Sequence, residues 1–593
     1  MLVYQRKSGR CSGLIRKIRN LSLYPCYPFI SVIKFPPSMI NFAAMKKALL
    51  VCIVLISAYA YPQTPSKSNT GSISRPKLVV GIVVDQMRWD FLYRYYDRYK
   101  ANGGFRRLLD KGFTCENTFI PYAPTVTACG HTCLYTGSVP AVHGITGNNW
   151  YDRIQKRSVY CTEDTSVHTV GAPEGMNGKQ SPRNMLTTTI CDELMIATNY
   201  RSKVIGVAIK DRGGILPAGH AATAAYWYDN RNGNWITSDY YKMTQLPAWV
   251  QQFNNRKLVD GYFRQGWSTL YPLNTYAQST ADAMPYEGKP FGAAYKGFPY
   301  DLNAFVGKDY TKLPYTPYGN SLTAEMAKAA IAGENLGVDG ITDFLAVSFS
   351  STDYIGHSFG PNSIETEDTY LRLDRDLGDL FRYLDEHVGA GQYTVFLSAD
   401  HGVTQVPGYM KEHNLPGGTM DDAPYVAEMD SLLKQQFGVS KLIINSGNYQ
   451  IHLNHRLMDS LKIDAKAVKK WIARFLETKT SIARAFDMDE VMLEPMPEKA
   501  REMIANGYFP SRSGDVEYIL KPHWIDGGAT GTTHGLWYPY DSHIPLLFYG
   551  WGIKQGKLNR ETYMTDVAPT LAALLRIQMP GGCIGHVIPE VMK

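Results

Sequence analysis

Residues 77–84 (Lys-Leu-Val-Val-Gly-Ile-Val-Val) are apolar almost without a break and rich in β-branched side chains. A strand with one wet face would alternate apolar and polar residues, so this one must be covered on both faces. It runs straight into Asp85. The pattern recurs: 204–209 leads into Lys210-Asp211-Arg212, 341–350 into Ser351-Thr352-Asp353, and 393–398 into Ala399-Asp400-His401. Further strands are expected at 114–119 and 544–549, with helices at 91–111, 364–387 and 565–575. Alternation of this kind predicts an α/β fold with a mostly parallel central sheet and helices on both faces. Such sheets hold their ligands at the carboxyl edge, where these Asp, Lys and His residues fall.

Two segments break the alternation. Residues 215–335 are crowded with aromatics, among them Tyr226, Trp227, Tyr228, Trp235, Trp249 and Trp267, and read as an insertion packing its own aromatic core. Residues 405–530 form a second insertion, with helical patterns at 465–476 and 498–506. The catalytic core is thereby divided into 77–214, 336–404 and 531–593. At the other end, Met45-Lys46-Lys47, an apolar stretch at 48–56 and Ser57-Ala58-Tyr59-Ala60 form a secretory signal peptide, 45–60, too short to span a membrane. Residues 1–44 then read as an upstream extension and 61–76 as a flexible lead-in. The mature chain is expected to be periplasmic or secreted, with no membrane span.

The net charge of +7 does not indicate a nucleic-acid partner. Residues 1–60 carry nine Lys and Arg and no Asp or Glu, which leaves the rest of the chain at −2. No basic run remains there. Of the nine cysteines six lie beyond the signal (Cys115, Cys129, Cys133, Cys161, Cys191, Cys583), without a Cys-x-x-Cys motif. An exported chain permits disulfides, but spacing alone leaves their pairing open.

The stretch Pro124-Thr125-Val126-Thr127-Ala128-Cys129-Gly130-His131 predicts a short helix over 128–136, stopped by Gly137. Thr127 stands at or beside its N-cap, where free N–H groups and the helix dipole favour an anion. By itself such a threonine is only a cap. Its company at strand ends changes that: Asp85, Asp353, His357, Asp400, His401 and His534. Carboxylate with imidazole suits zinc, and six such residues divide into two sets of three, each leaving an open position. Asp353 and His357 are expected in a loop that Gly356 lets bend, and Gly402 helps the chain turn at Asp400-His401. If the strand continues through Arg212, Lys210 and Arg212 share a face and suit an oxyanion. Asn148 and Asn149 lie in a glycine-punctuated loop, one of them as a turn residue.

These pieces together resemble the alkaline phosphatase superfamily. They fit its type I phosphodiesterase/nucleotide pyrophosphatase-like branch, and within it the phosphate-irrepressible bacterial alkaline phosphatases. The matching pieces are Val-Val-Asp85, Pro-Thr-Val-Thr127, Gly-Asn148-Asn149, Lys210-Asp-Arg212, Asp353-Tyr-Ile-Gly-His357, Ser-Ala-Asp400-His401-Gly and Thr-Thr-His534-Gly. The resemblance implies two zinc ions per chain, one on Asp353, His357 and His534, the other on Asp85, Asp400, His401 and the Thr127 oxygen. It implies that Thr127 is the nucleophile. Asn148, Lys210, Arg212 and the Ala128 backbone N–H then bind the substrate, a small phosphate monoester.

Three competing readings stay open. A diesterase or nucleotide pyrophosphatase shares the metal ligands and the threonine, but has no need of paired cations. A phosphonoacetate hydrolase is close in fold. A catalytically silent secreted binding module is the reading from a different class. A sulfatase would need a Cys/Ser-x-Pro-x-Arg motif, which neither Cys129 nor Cys133 begins.

Overall fold

The structure is a computed structural model that describes residues 74–593. The upstream extension, the signal peptide and all but the last three residues of the lead-in lie outside it. A ten-stranded sheet forms the centre. Its main strands are β1 (Leu78–Val84), β2 (Phe113–Phe119), β3 (Val204–Ala208), β4 (Ala224–Asp229), β5 (Asn234–Ser238), β6 (Asp343–Phe349), β7 (Tyr393–Ser398), β8 (His543–Gly550) and β9 (Gly556–Tyr563). Their spatial order is β9-β2-β8-β7-β1-β6-β3-β4-β5, with the short strand Thr169–Val170 beside β5.

The middle of the sheet positions the site. Strands β7, β1, β6, β3 and β4 are mutually parallel. Val83 of β1 pairs with Ser398 of β7 and Ser348 of β6, and Ala208 of β3 pairs with Ser348 in turn. Four strands therefore end level with one another, and the residues just past their ends converge. β1, β6 and β7 are buried along their whole length, as their unbroken apolar runs require. β8 is antiparallel to both of its neighbours, β7 and β2. The chain entering it therefore crosses the same carboxyl edge and brings His534 there.

The helices are α1 (Gly104–Lys111), α2 (Thr127–Thr136), α3 (Asp211–Ala218), α4 (Tyr318–Glu334), α5 (Ser351–Phe359), α6 (Ile364–Leu384) and α7 (Val567–Leu575). The continuous helix expected over 91–111 is broken. A single turn at Phe91–Arg94 and a 3-10 turn at Tyr96–Arg98 precede Tyr99, whose extended backbone interrupts the helix before α1 begins beside Gly103.

Residues 215–335 are not wholly an insertion. β4 and β5 extend the central sheet and α4 packs on β6, so only the stretch between β5 and α4 departs from the alternation. The strand Ala-Ala-Tyr-Trp-Tyr-Asp was hidden among neighbouring aromatics, and Tyr226 and Trp227 belong to the main core. Residues 405–530 carry an antiparallel four-stranded sheet, in the order Ile443–Gly447, Gln450–Leu453, Val516–Leu520, Ile482–Asp487. It has a hydrophobic cluster of its own around Met429, Val468, Ile472, Leu476 and Leu520. The two helices expected in this segment are Ala465–Glu477 and Glu498–Gly507.

Candidate active site

α2 begins at Thr127 and is stopped by Gly137, whose φ of 63° is the left-handed conformation that glycine adopts freely. The helix is buried on every side, and Gly130 brings it against the sheet edge: a Cβ there would lie 2.3 Å from the Asp400 carbonyl oxygen. Thr127 is thus held 1% exposed beside the ends of β1 and β7. The first turn of α2 gives the threonine hydroxyl no other anchor, and its Oγ1 lies 3.4 Å from His401 Nε2 and 3.4 Å from Lys210 Nζ.

Asp353 and His357 sit on α5 rather than in a loop. One helical turn separates them, which puts both on one face and Nε2 of His357 3.2 Å from Asp353 Oδ1. Lys210 and Arg212 likewise do not continue a strand. β3 ends at Ala208, Lys210 is the N-cap residue of α3, and Arg212 is in its first turn. They still line one cavity of about 390 Å³ together with Tyr315, Asp353, Tyr354 and His357. Lys210 is 5% exposed, with Nζ 2.6 Å from Asp353 Oδ2 and 2.8 Å from Asp85 Oδ2. Arg212 donates through one terminal nitrogen to the Tyr160 hydroxyl, 3.1 Å away.

The three histidines share one arrangement. Nδ1 of His357 bonds the Thr532 carbonyl (2.8 Å), that of His401 the Gly402 carbonyl (3.0 Å) and that of His534 the Thr125 carbonyl (2.7 Å). A carbonyl accepts only, so each Nδ1 carries the proton and each Nε2 is left with a lone pair, the tautomer of a metal ligand. The His401 and His534 rings stack with centroids 3.5 Å apart. Nε2 of His534 lies 3.7 Å from Asp353 Oδ1, and Nε2 of His401 lies 3.5 Å from Asp85 Oδ1 and 3.4 Å from Asp400 Oδ2.

Two groups bring their ligand atoms within 4.8 Å of one another: Asp353, His357 and His534, and Asp85, Asp353 and His401. Asp353 is common to both. Asp400 stands beside the second, with Oδ1 accepting from the backbone N–H groups of Gln86 and His401.

The donor set fits metal ions. Oδ1 of Asp85 and Oδ2 of Asp400 are buried and accept no hydrogen bond. Asp85, Asp353 and Asp400 are 0%, 4% and 0% exposed, and Lys210 is the cation that pairs with two of them. Burial, with Asp400 adding to it, lifts the Asp85 carboxyl well above its usual range. Burial opposes ionisation of Asp353 too, but Lys210 and then His357 hold it well below. Burial also lowers His401 and His534, which favours the neutral rings a metal needs. Burial disfavours the His357 cation as well, but Asp353 beside it raises that ring, so it is His401 and His534 that are held neutral. Three buried acids facing one ammonium make a cluster whose carboxylates divalent cations would balance.

Asn148 accepts from the Ala128 N–H through Oδ1 at 2.9 Å. Two of the expected substrate donors are therefore bonded to each other here, and Ala128 fixes the asparagine while its Nδ2 has no partner among the described residues. Asn149 begins a hairpin strand, Asn149–Asp152.

Two further residues belong to the site. Gln86, in the left-handed conformation at φ 66°, donates from Nε2 to Asp353 Oδ1 at 2.9 Å and from its backbone to Asp400 Oδ1 at 3.1 Å. Gly356 makes room for it, since a Cβ there would lie 1.9 Å from Gln86 Oε1. His131 is fully buried beneath Thr127. Its Nδ1 is 2.9 Å from the Thr127 carbonyl and 3.2 Å from Asp400 Oδ2, and its Nε2 is 2.8 Å from the Ser348 hydroxyl. Nothing in a single sequence marks Gln86. His131 could have been read from helical spacing, one turn after Thr127.

Residues 79–535 match the type I phosphodiesterase / nucleotide pyrophosphatase family, and the chain belongs to it. Within it the chain is 51% identical to alkaline phosphatase PhoV of Synechococcus elongatus, over 92% of this chain and 100% of that one. It is also 51% identical to a Myroides odoratus protein described as a calcium-transporting ATPase, over 88% of this chain and 95% of the other. Alkaline phosphatase PafA of Elizabethkingia meningoseptica is 48% identical over 88% and 96% of the two chains. The crystal structure of wild-type PafA superposes with a TM-score of 0.86, covering 88% of this chain and 100% of that one. In a solved variant of PafA, a threonine, an asparagine, a lysine and an arginine are replaced. They stand 21, 62 and 2 residues apart, the spacing of Thr127, Asn148, Lys210 and Arg212.

Proposed function

We propose that this chain is a two-zinc alkaline phosphatase that hydrolyses small phosphate monoesters through a phosphothreonine on Thr127 and works outside the cytoplasm. The observation that carries this reading is the position of the Lys210 ammonium. It lies 3.4 Å from the Thr127 hydroxyl, with Arg212 lining the same cavity. Two cations stand where the phosphoryl group of an attacked ester must sit, and a dianion has the charge and the third oxygen to use both. The relatives named alkaline phosphatases, and the spacing shared with the altered PafA residues, support it.

Asp353, His357 and His534 would hold one ion, and Asp85, Asp400 and His401 the other, with Thr127 beside it. When bound, the ions would lower the pKa of the threonine hydroxyl and neutralise charge on the departing oxygen. The chain's own residues do the rest. α2 fixes Thr127 at its N-terminus, and Gly130 and His131 set its height over the sheet edge. Oγ1 gives up its proton to solvent and attacks phosphorus, the threonine O–P bond forms, and the ester P–O bond breaks on the far side. The leaving alkoxide then takes a proton from water. Lys210, Arg212 and the Asn148 amide grip the non-bridging oxygens and orient them for in-line attack. Water hydrolyses the phosphothreonine and releases inorganic phosphate and the free hydroxyl.

Mono-, di- and sulfate esters assayed side by side on wild type and Thr127→Ala test this. Monoester turnover should dominate in wild type, and in Thr127→Ala every activity should vanish with the fold and bound zinc retained. Undiminished turnover without the hydroxyl would remove the covalent route.

A further inference from the structure

The hairpin that begins just after Asn148 returns to the site at its other end. Strands Asn149–Asp152 and Arg157–Tyr160 pair antiparallel, with Tyr160 opposite Asn149. The Cys161 N–H donates to the Asn148 carbonyl at 3.0 Å, which closes the base of the hairpin. Asn184 holds the same base, with Nδ2 3.3 Å from the Tyr160 and Cys161 carbonyls. Asn148 and Tyr160 are therefore neighbours on one frame, although a whole hairpin separates them in the chain.

Arg212 leans on that frame. Among the described residues its guanidinium has one partner, the Tyr160 hydroxyl, which accepts from a terminal nitrogen at 3.1 Å, and its Nε is buried without any. The hydroxyl donates in turn to Asp211 Oδ1 at 2.5 Å, and the same oxygen accepts from the Arg212 backbone N–H at 2.6 Å. Tyr160 thus stands between a carboxylate and a guanidinium, giving its proton to the acid and its lone pairs to the cation. Burial raises this hydroxyl well above the usual tyrosine range, though Arg212 works against it, so the proton stays through an alkaline assay.

The contact matters because Arg212 has somewhere else to go. Beside the cavity of the site lies a second one, of about 370 Å³, and Lys210, Arg212 and Tyr354 line both. Tyr160, Glu163, Asn177 and Asp211 line only the second. An arginine released from the tyrosine would meet two acids there, and their attraction would draw its fork away from the phosphoryl group.

We propose that Tyr160 is the positioning residue for Arg212, holding the guanidinium in the catalytic cavity and tying it through the hairpin to Asn148. This role rests on the monoester reading, in which Arg212 and Asn148 grip the non-bridging oxygens. Residues that act through one another are not additive, so the loss of Tyr160 is felt only where Arg212 is present. It is felt most by a dianion, which has most to gain from the arginine.

The test is a double-mutant cycle on the full zinc-loaded protein: wild type, Tyr160→Phe, Arg212→Ala and the two combined. Each is assayed for kcat/KM on a chromogenic monoester and its methyl diester, and for inorganic phosphate binding by calorimetry, with zinc content and thermal midpoint checked. Tyr160→Phe should lower monoester kcat/KM and phosphate affinity by roughly tenfold, the worth of one bond to a charged group, and by no more than Arg212→Ala does. The diester rate should hardly move, with zinc and midpoint near wild type. With Arg212 already replaced, Tyr160→Phe should change neither monoester rate nor phosphate affinity. Full monoester activity in Tyr160→Phe, or the same loss with and without Arg212, overturns the assignment. Should the phenylalanine variant fail to fold, Asp211→Asn, which weakens the tyrosine's anchor, must show the same dependence on Arg212; a loss that ignores Arg212 overturns it. If wild type turns over no monoester, the function proposed above falls, and phosphate binding alone decides whether Tyr160 acts through Arg212.

Discussion

Replacing Lys210 and Arg212 separately and together is the most searching test of the monoester reading. The structure predicts different costs for the two. Arg212 has one protein partner, the Tyr160 hydroxyl, which keeps its own 2.5 Å bond to Asp211 when the arginine is gone. Arg212→Ala should therefore leave stability nearly unchanged. It removes one charge-assisted bond to substrate, about 1.5–3 kcal/mol, or roughly tenfold to a hundredfold in monoester kcat/KM.

Lys210→Ala loses a similar bond to the ester but also strands Asp85 and Asp353. Breaking a buried pair costs on the order of 3–5 kcal/mol. The thermal midpoint of the lysine variant should fall most after treatment with EDTA, when no ion compensates the acids. If the two substrate terms add, the double variant loses about 3–6 kcal/mol, roughly 10²–10⁴ in monoester kcat/KM. A diester, with one charge and two non-bridging oxygens, should lose far less, so the ratio of the two activities narrows or inverts. The assay is kcat/KM for a chromogenic monoester and its methyl diester on all four proteins, with zinc content checked. An equal loss for both esters would make the pair structural and favour the diesterase reading.

Other consequences are sharper in direction than in size. Asp353→Ala should empty more than one ion per chain, because its carboxylate reaches both ligand groups; zinc analysis showing a single ion lost, or none, contradicts that shared position. Gly130→Ala should cut turnover and lower the thermal midpoint despite alanine's helix preference of about 1 kcal/mol, since its Cβ meets the Asp400 backbone; a stabilised, fully active variant would argue against that contact. Glu517, buried in the inserted domain with a single bond from Gln450, has its carboxyl pushed up to about 8 by burial. A raised folded-state pKa means stability present at low pH and lost as pH rises toward 8. Glu517→Gln should then unfold at higher denaturant than wild type at pH 9, with the gap closing near pH 5.

Much of this was legible because burial on both faces leaves a strong trace. β1, β6 and β7 could be read from apolar runs alone, and the acids behind them fell into place. Local geometry was harder. Asp353 and His357 look like a loop in sequence, because Gly356 reads as a breaker, whereas the structure uses that glycine to clear space for Gln86. Lys210 and Arg212 were paired for the wrong reason. The strand ends before them, and what unites them is the first turn of α3. β4 escaped because Tyr226, Trp227 and Tyr228 look like any aromatic cluster until a neighbouring strand pairs with them. Gln86 was beyond reach, since its role depends on a left-handed backbone that no residue type announces.

The reversed direction of β8 has a consequence in time. Asp85 and Thr127 leave the ribosome early, but the residues entering β8, His534 among them, are made after nine-tenths of the chain. The sheet's middle strands could pair while synthesis continues, yet the cluster of acids at their ends must wait for that last hairpin-like return. Until then the forming edge carries its carboxylates without their final imidazole. Capture of the metal ions proposed for this site would then be a closing event, coupled to the docking of the strands that follow His534, and release of those strands should give the ions back.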